Sequence, residues 1–190
     1  MANDSRVSMV RSAASLISSR GMSATSLSDV LTDSGAPRGS IYHHFPDGKT
    51  QLAEDAIGWT SDRVLAYLRS GPTDSAAAVL SHFIALWRRV VVTSGGSAGC
   101  AVAGVAVDTV DDARLMGVVR TTFRSWIDLL ALQLRAAGVP AHRARPIALA
   151  TLAAMEGALI LCRAEGDSGP LDVVGGELMR LLSAEAGNAR

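Results

Sequence analysis

The sequence predicts an all-α fold of about nine helices. Apolar residues recur at helical spacing in one segment after another, and glycine or proline breaks separate these segments. The clearest breaks are Ser70-Gly71-Pro72, Gly138-Val139-Pro140 and Gly166 to Pro170. Only the small, apolar stretch from Cys100 to Asp108 also fits a strand, and a single strand would have no partner to pair with. We therefore expect an architecture of packed helices.

The composition fits a soluble helical protein, because 48% of the residues are hydrophobic and the formal net charge is zero. Within residues 1–50, basic and acidic side chains nearly balance, so any affinity for DNA must come from one local face. The basic residues are Arg6, Arg11, Arg20, Arg38 and Lys49, and the acidic ones are Asp4, Asp29, Asp33 and Asp47. This balance disfavours a nonspecific nucleic-acid binder.

The sequence predicts neither a metal site nor a membrane segment. Cys100 and Cys162 lie far apart without a neighbouring Cys or His, which is typical of buried thiols in a reducing cytoplasm. His43 and His44 are adjacent, so on a helix they point about 100° apart and cannot share a metal ion. The most apolar run contains Glu156 and is shorter than the roughly 20 residues that span a bilayer. With no secretion-type apolar segment at the N-terminus, we expect a cytoplasmic protein without a cofactor.

The first two helices are defined by their end signals. Apolar residues at helical spacing, followed by Arg20-Gly21, predict a first helix from about Ser5 to Ser19. Ser26, with Asp29 three residues later, has the signature of an N-cap and opens a short second helix. Gly35 ends that helix, because a glycine there can adopt the left-handed conformation that turns the chain.

Residues 27–45 have the pattern of a helix-turn-helix. Pro37 fixes the backbone where the second helix of the pair begins, and this helix is predicted over 38–45. Ile41 and Phe45, four residues apart, would anchor it to the core. The outward face then holds Arg38, Gly39, Ser40, Tyr42 and His43. Small side chains, a guanidinium and a phenol suit a helix in a DNA major groove, although an ordinary helical hairpin also fits the spacing.

The residues of this region resemble a known motif. G-A-P-R-G-S-I-Y-H-H-F-P-D-G-K-T-Q-L closely resembles the DNA-binding signature of the TetR family of bacterial transcriptional regulators. In that signature, glycine, a short spacer, Tyr-x-His-Phe and Lys-x-x-Leu recur. The resemblance is strong over residues 6–57. The Asp47-Gly48 pair before Lys49 departs from many members, which have one residue there, and resembles the subgroup of lincomycin-resistance and flavonoid-responsive regulators.

The resemblance implies a set of DNA contacts. It places Tyr42 and His44 near the phosphate backbone, although a partly buried packing role fits His44 equally well. Lys49 and Thr50 open a helix, where free N–H groups, the helix dipole and a cation favour a phosphate; a solvated lysine is the alternative. The predicted DNA contacts are Thr25, Ser26, Arg38, Gly39, Ser40, Tyr42, His43, His44, Lys49 and Thr50.

The same periodicity and breaks predict the later helices. One helix is expected over 49–70, and a second runs from a Thr73-Asp74 cap to residue 92, followed by a non-helical stretch over 93–99. A third runs from the acidic segment 108–112 to Gly138. The last two are expected over 141–165 and 171–184. Between the second and the third, the stretch from Cys100 resembles the Gly-Cys-x-Val segment of the subgroup named above. The 141–165 helix has Pro146 within its opening turns.

The last two helices are predicted to form a dimer interface. The 141–165 helix is apolar on nearly every side, and a helix of that kind must be buried all round. The 171–184 helix adds a narrow leucine stripe. Contact with their copies in a twofold four-helix interface would bury both, and burial within one chain is the alternative. The predicted interface residues are Ala154, Ala158, Leu161, Val174, Leu178, Leu181 and Leu182.

A ligand cavity is predicted among neighbouring apolar faces. Glu156 is the lone acid in the most apolar helix, and aromatic residues lie on the helices expected beside it. Such a cavity would accept an aromatic or amphipathic ligand with Glu156, His82 or Arg88 as a polar anchor, although core packing is the simpler explanation for most of these side chains. The predicted ligand contacts are His82, Trp87, Cys100, Phe123, Trp126, Met155 and Glu156.

Together with the resemblance, these patterns predict a helix-turn-helix DNA-binding domain over residues 1–50, with the helix-turn-helix at about 27–45, and a ligand-binding and dimerisation domain over 51–190. The expected function is a homodimeric repressor that a small apolar or aromatic ligand releases from a palindromic double-stranded operator. The alternatives are a global or ligand-independent regulator, and a ligand-binding helical enzyme whose helix-turn-helix pattern is accidental. The sequence has no Gly-rich phosphate loop, nucleophile motif or metal-ligand spacing to support an enzyme.

Overall fold

The computed structural model describes the backbone of residues 2–188 and the side chains of residues 4–183. This part of the chain forms nine α-helices and no strand, which confirms the predicted fold class. The helices are α1 (Ala2–Arg20), α2 (Leu27–Ser34), α3 (Ser40–His44), α4 (Gly48–Arg69), α5 (Ala76–Ser94), α6 (Ala101–Asp108), α7 (Ala113–Ala136), α8 (Ala141–Glu165) and α9 (Gly169–Asn188). Because α6 is helical, the strand alternative for this stretch, which the sequence disfavoured, is excluded.

The second helix of the helix-turn-helix is shorter than predicted. α3 has five residues instead of spanning 38–45, because residues 38 and 39 form the turn before it. Gly39 already has a right-handed helical backbone, with φ −74° and ψ −16°. At the other end, Phe45 leaves the helical conformation, while its N–H still donates to the Ile41 carbonyl at 2.8 Å. Gly39 therefore continues the helical backbone geometry on one side of α3, whereas Phe45 keeps only a helix-type hydrogen bond on the other.

Both ends of α5 differ from the predictions. The Ser75 hydroxyl caps the helix by accepting a backbone N–H at 3.1 Å, so the Thr73-Asp74 pair is not the cap. Ser75 has the extended backbone of an N-cap (φ −149°, ψ 150°), which aims its side chain at the first turn. The helix also continues through Ser94, into the stretch predicted to be non-helical, and ends at Gly95, where φ is +59°.

The chain divides into two compact units. The first joins the chain up to Arg63 to Cys100–Phe123, and the second joins Val64–Gly99 to the chain from Arg124 onward. The boundaries between these units fall inside α4, between Gly99 and Cys100, and inside α7. The physical reason is that α6 packs against α1 and so belongs to the N-terminal unit. The division of function between residues 1–50 and 51–190 stays a prediction.

In the first unit, α1 is the central helix and packs against α2, α3 and α6. At Gly104 of α6, a Cβ would lie 3.0 Å from the Ile17 carbonyl oxygen, so a glycine permits the close approach of α6 to α1. At the end of α6, the Asp108 carboxylate accepts the N–H of Ser23 at 2.8 Å. These contacts fix α6 to the loop that leads into α2.

In the second unit, α5 packs against α8 and α9, which also pack against each other. A Cβ at Gly175 of α9 would lie 2.9 Å from the Ile84 Cγ2 atom, so this helix also approaches its neighbour at a glycine. α8 buries one side only; its buried residues are Ala144, Ala148, Thr151, Leu152, Met155, Ala158, Leu159 and Cys162. Its opposite side, which includes Leu149, Ile160 and Leu161, is exposed. Burial of α8 all round is therefore not achieved within one chain.

Within the described residues, two helices, α5 and α8, are long and apolar enough to cross a membrane by length and composition alone. Core helices of soluble proteins meet the same criterion. Both helices pack against other helices of the second unit, as core helices do.

Candidate nucleic-acid interface and effector region

The start of α2 is fixed by a capping box, as the sequence predicts. The Ser26 hydroxyl accepts the Asp29 N–H at 3.1 Å, and the Asp29 carboxylate accepts the Ser26 N–H at 2.9 Å. The bond from the Ser26 N–H is the main reason that the pKa of Asp29 lies below its ordinary value, with the Ser26 hydroxyl next and the charges of Arg20 and Lys49 adding to it. The resulting stabilisation is present above the pKa of the unfolded carboxyl and is lost as the pH falls through the lowered pKa.

The end of α2 also forms as predicted, because Gly35 adopts the left-handed conformation (φ +67°) that turns the chain towards α3. α3 is anchored by Ile41, which is 1% exposed, and by the adjoining Phe45, which is fully buried. The Arg6 guanidinium of α1 lies 5.5 Å from the centre of the Phe45 ring and donates to Asp55 of α4 at 2.6 Å. α3 is thus held from below by both α1 and α4.

The face opposite these anchors is open. Tyr42 is 71% exposed, and Arg38, Gly39 and His43 are exposed as well. This is the set that the sequence predicted to face outward, apart from Ser40, which is half-buried and donates its hydroxyl to the Pro37 carbonyl at 2.6 Å. A phenol, a guanidinium and an imidazole therefore project from one short helix and its N-terminal turn.

The remaining predicted DNA contacts lie in different environments. Thr25 is 3% exposed and donates its hydroxyl to the Gly21 carbonyl at 2.8 Å, so its side chain supports the loop and does not face outward. Ser26 is exposed, but its hydroxyl forms the capping box. His44 is half-buried and its ring centre lies 6.4 Å from that of Phe45, which agrees with a packing role. We therefore omit the Thr25 side chain from the candidate interface.

The turn from α3 to α4 forms the other edge of the open face. Gly48 has φ +68°, a conformation that favours glycine, and its N–H donates to the Phe45 carbonyl at 2.9 Å. The N–H of Asp47 donates to the Gln51 side chain at 3.1 Å. Lys49 and Thr50 are half-buried in the first turn of α4. The helix start that was predicted to favour a phosphate therefore adjoins α3.

Arg114, in the first turn of α7, reaches this turn from a distant part of the sequence. It donates to Asp47 at 3.2 Å and to Glu54 of α4 at 2.6 Å, with a second hydrogen bond to Glu54. Sequence reasoning missed Arg114, and no local signal could have found it, because it lies 67 residues from Asp47 in the chain. These two residues, distant in sequence, belong to one unit because α6, which precedes α7, packs against α1.

The predicted ligand contacts do not all fall in one unit. Trp87, Trp126 and Met155 are buried in the second unit, and the two indole rings lie 6.0 Å apart between centres. Cys100 and Phe123 belong to the first unit. The predicted set as a whole is therefore not gathered within either unit.

The two polar residues of the predicted set lie in the second unit. The His82 ring stacks on Tyr67 at 4.1 Å, and its Nε2 atom bonds to the Tyr67 carbonyl at 2.9 Å, so this nitrogen is already engaged. Glu156 is half-buried on α8. Arg88, the third possible anchor, pairs with Asp172 of α9 at 2.8 Å. A ligand that used Nε2 of His82 or the Arg88 guanidinium as its anchor would therefore compete with an existing partner.

Some buried polar atoms of the second unit have no hydrogen-bond partner within the described part of the chain, and two of them concern the ligand hypothesis. They are Nε1 of Trp87 and the hydroxyl oxygen of Thr151. Trp87 is 3% exposed, and Thr151 is fully buried. A buried polar group without a partner costs about 1 to 3 kcal/mol. Thr151 was not predicted from the sequence, because a threonine in an apolar helix resembles any other small core residue.

The predicted interface residues are divided between the core and the surface of the second unit. Ala158 is 1% exposed and belongs to the core of its own chain. Leu161 and Leu181 are 51% and 58% exposed. The half-buried ones are Ala154, Val174, Leu178 and Leu182. No cluster of three or more metal-ligating side chains occurs among the residues that the structure describes.

Comparison with known proteins identifies the family. Residues 10–56 match the model of bacterial regulatory proteins of the tetR family, and residues 76–177 match the model of the C-terminal domain of LmrA/YxaF-like transcriptional regulators. The chain belongs to the TetR family of bacterial transcriptional regulators. The first match covers α2 and α3, and the second covers α5 to α8 and the start of α9. The resemblance to the lincomycin-resistance and flavonoid-responsive subgroup is thereby confirmed.

Relatives of this TetR-family chain are similar over nearly their whole length. An uncharacterised HTH-type transcriptional regulator of Mycobacterium tuberculosis is 38% identical over 95% of each chain. The HTH-type transcriptional regulator LmrA of Bacillus subtilis is 28% identical and covers 88% of this chain and 91% of its own. These relatives are transcriptional regulators and not enzymes, so the chain is a DNA-binding regulator and the enzyme alternative is not supported.

Solved structures of TetR-family regulators have the same fold. The regulatory protein TetR from Rhodobacter sphaeroides superposes with a TM-score of 0.84 at 20% identity, over 92% of this chain and 96% of the other. A TetR regulator from Legionella pneumophila gives 0.82 at 23% identity, over 92% and 95% of the two chains.

Replacing Ser26 with alanine tests the capping box that sets the start of α2. The variant loses the side-chain bond to the Asp29 N–H, and we expect the free energy of unfolding to fall by about 1 kcal/mol in urea titrations. Ser28→Ala is the matched control: Ser28 is exposed in the same helix, so this change should leave stability equal or slightly higher. Equal stability of Ser26→Ala and the wild-type protein would contradict a stabilising role for the cap.

Proposed function

We propose that the chain is a cytoplasmic repressor that binds a palindromic operator as a homodimer and is released by a small apolar or aromatic ligand. The observation that carries the proposal is the open face of Arg38, Gly39, Tyr42 and His43 above the buried anchors of α3. A helix that projects polar groups beyond a well-packed base fits a major groove about 12 Å wide. Lys49 and Thr50 at the start of α4 would hold a phosphate beside it.

Two basic side chains have different roles in this proposed interface: Arg38 contacts a base and Lys49 contacts a phosphate. Arg38 projects from the turn that opens α3, and its guanidinium suits a bidentate bond to a guanine edge. Lys49 is a point charge at a helix N-terminus and suits a phosphate oxygen. Base contacts specify sequence, whereas phosphate contacts position the protein on any duplex.

Alanine variants separate these two roles on the operator, which footprinting of the DNA beside the chain's own gene would locate. Arg38→Ala should weaken operator binding by about 1 to 3 kcal/mol and leave nonspecific DNA nearly unaffected. Lys49→Ala should weaken both and reduce the salt-dependence slope by about one per lost contact. Arg69→Ala, which changes an exposed arginine of the second unit, is the control and should bind as the wild type does. Uniform weakening by Arg38→Ala would refute its base-reading role.

The proposal of a homodimer rests on the uncovered side of α8. Exposed small and apolar residues recur there every three or four positions: Leu149, Ala150, Ala153, Gly157, Ile160, Leu161 and Ala164. The exposed Val173 and Leu181 of α9 lengthen this patch along the chain. Apolar patches of this kind mark interfaces, and a twofold axis would cover the same patch on both copies. Helices α8 and α9 of two chains would then form a four-helix interface.

Leu161→Arg tests this interface by placing a charge without a partner where the two copies would meet. Burial of such a charge costs several kcal/mol, so sedimentation at about 10 μM should show a dimer for the wild type and a monomer for the variant. Leu132→Arg is matched in chemistry and exposure, since Leu132 of α7 is 60% exposed, and should remain dimeric. A monomeric wild-type chain would refute both the dimer and the palindromic operator.

The proposal of a ligand rests on the interior of the second unit. Trp87 and Trp126 supply aromatic surface there, and the Trp87 N–H lacks a protein partner within the described residues. An aromatic ligand with a carbonyl oxygen would satisfy that donor and bury its own apolar surface. Flavonoids have this chemistry, and they are the effectors of part of the subgroup that the chain resembles.

Helix α4 would transmit the effect of the ligand, because it is continuous across the boundary between the two units. Its last turn is anchored in the second unit, where Gln133 donates to the Leu68 carbonyl at 2.6 Å and Tyr67 stacks on His82. Its first turn carries Lys49. A ligand that shifts the last turn would change the separation of two recognition helices, which must match the DNA repeat. Release requires a preference for the second state of about 10² to 10⁴, or roughly 3 to 5.5 kcal/mol.

Quercetin, a flavonol, is a suitable probe for this ligand site. Ligand and operator should weaken each other's binding by the same factor, measured by calorimetry on the free and the operator-bound protein. Trp87→Phe keeps the aromatic surface but removes the N–H, and should weaken quercetin binding by about 5- to 10-fold while operator affinity without ligand is unchanged. Trp59→Phe is the control in the first unit. Equal quercetin affinity with and without operator would refute the proposed linkage.

A further inference from the structure

The turn between α3 and α4 carries a charge that opposes DNA binding. Asp47 is exposed in this turn and lies two residues before Lys49, the proposed phosphate contact. A carboxylate at this position would face the same phosphates as the lysine, and two unit charges about 8 Å apart interact by about 0.5 kcal/mol even in water. The extra residue of the Asp47-Gly48 pair therefore introduces a local electrostatic cost.

Arg114 lies where it offsets that cost. Its guanidinium donates to Asp47 at 3.2 Å and to Glu54 at 2.6 Å, although it belongs to α7. The three side chains together have a formal charge of −1, and without Arg114 the charge is −2. All three lie within the first unit, the unit that contains the helix-turn-helix.

The ion pair between Arg114 and Asp47 contributes little to the stability of the fold. The Arg114 and Asp47 side chains are 53% and 58% exposed, and exposed ion pairs contribute little to folding because water screens them. The effect of these charges on DNA is separate from their effect on folding, because every phosphate near the turn responds to the net charge there.

We propose that Arg114 is a positioning residue for DNA binding: by pairing with Asp47, it keeps the α3–α4 turn from repelling the phosphate that Lys49 contacts. Glu54 holds the guanidinium in place from the next turns of α4. It lies about 9 Å further along the helix than Gly48, at 1.5 Å per residue, which is close to the screening length of physiological salt. Asp47 therefore dominates the repulsion and Glu54 serves as the fixed end of the contact.

A charge series tests this assignment on operator DNA at about 50 mM salt. Asp47→Asn brings the cluster to zero, the wild type and the Arg114→Ala/Asp47→Asn double variant have −1, and Arg114→Ala has −2. Affinity should follow the same order, with Arg114→Ala about 2- to 3-fold weaker per subunit than the wild type and the double variant restored to wild-type affinity. The differences should shrink as salt is raised to about 300 mM.

Two further variants distinguish charge from geometry. Arg114→Lys keeps the charge and should retain most of the affinity, whereas a loss equal to that of Arg114→Ala would refute the electrostatic role. Arg114→Ala/Glu54→Gln has the same formal charge as the wild type but leaves Asp47 uncompensated, so it should remain weak. Full recovery in that variant would refute the assignment to Asp47.

Other roles for Arg114 predict different results. If Arg114 contacted a phosphate directly, or served only to hold the fold, Asp47→Asn would not rescue Arg114→Ala, and the proposal would be overturned. The inference rests on the proposed DNA-binding face, and Lys49→Ala separates the two. If Lys49→Ala weakens binding while the charge series has no effect, only the role of Arg114 fails; if neither has an effect, the proposed interface fails too.

Discussion

The open face of α3, the proposed DNA-binding surface, depends on the burial of Ile41 and Phe45. A helix of five residues forms too few internal hydrogen bonds to offset the cost of nucleation, so α3 exists only because these two side chains are packed beneath it. Arg6 contributes to the same support by covering the Phe45 ring and bonding to α4. The orientation of every side chain on the open face follows from this packing, because α3 is not stable on its own and its direction is set by the residues beneath it.

The need to bury apolar side chains is met for α3 but only in part for α8. An apolar helix surface contributes to stability only when water is removed from it, and the chain covers only one side of this helix. Ala158 and Leu161, three residues apart, illustrate the division, because the first is buried in its own chain and the second is half exposed. Both were predicted as interface residues from the sequence, which gave the apolar character of the helix but not which side its own chain would cover.

Several local signals in the sequence predicted the structure well, although the Thr73-Asp74 cap of α5 was wrong, and signals that depend on tertiary contacts did not predict it. The Ser26–Asp29 capping box, the left-handed Gly35 and the range of α8 follow from neighbouring residues, and all were predicted correctly. The inward orientation of Thr25 was missed, because its hydroxyl bonds to the carbonyl of Gly21 in a loop whose shape depends on α6. The fold class needed only periodicity, whereas the position of each side chain needed the packing of distant helices.

The contacts around the α3–α4 turn show why a candidate site is harder to predict than a fold. Nothing near Asp47 in sequence indicates that its charge is offset, because Arg114 is brought to it by the packing of α6 on α1 and by the direction of α7. The pairing of His82 with Tyr67 is similar: an apparently available polar anchor is already engaged with the end of α4. In both cases the sequence identifies a chemical group correctly and cannot tell whether another residue already uses it.

If residues 1–50 form the proposed DNA-binding domain, their nearly neutral charge has a consequence for the proposed release by a ligand. Nonspecific affinity grows with the number of phosphates that a protein neutralises, and residues 1–50 contain one more basic than acidic side chain. Affinity for the operator must then come mainly from correctly placed contacts on two recognition helices rather than from charge, and such contacts are lost together when the helices move. A strongly basic protein would remain on DNA after that movement. For this chain, the proposed ligand would then need only a few kcal/mol of preference to move the protein from bound to free.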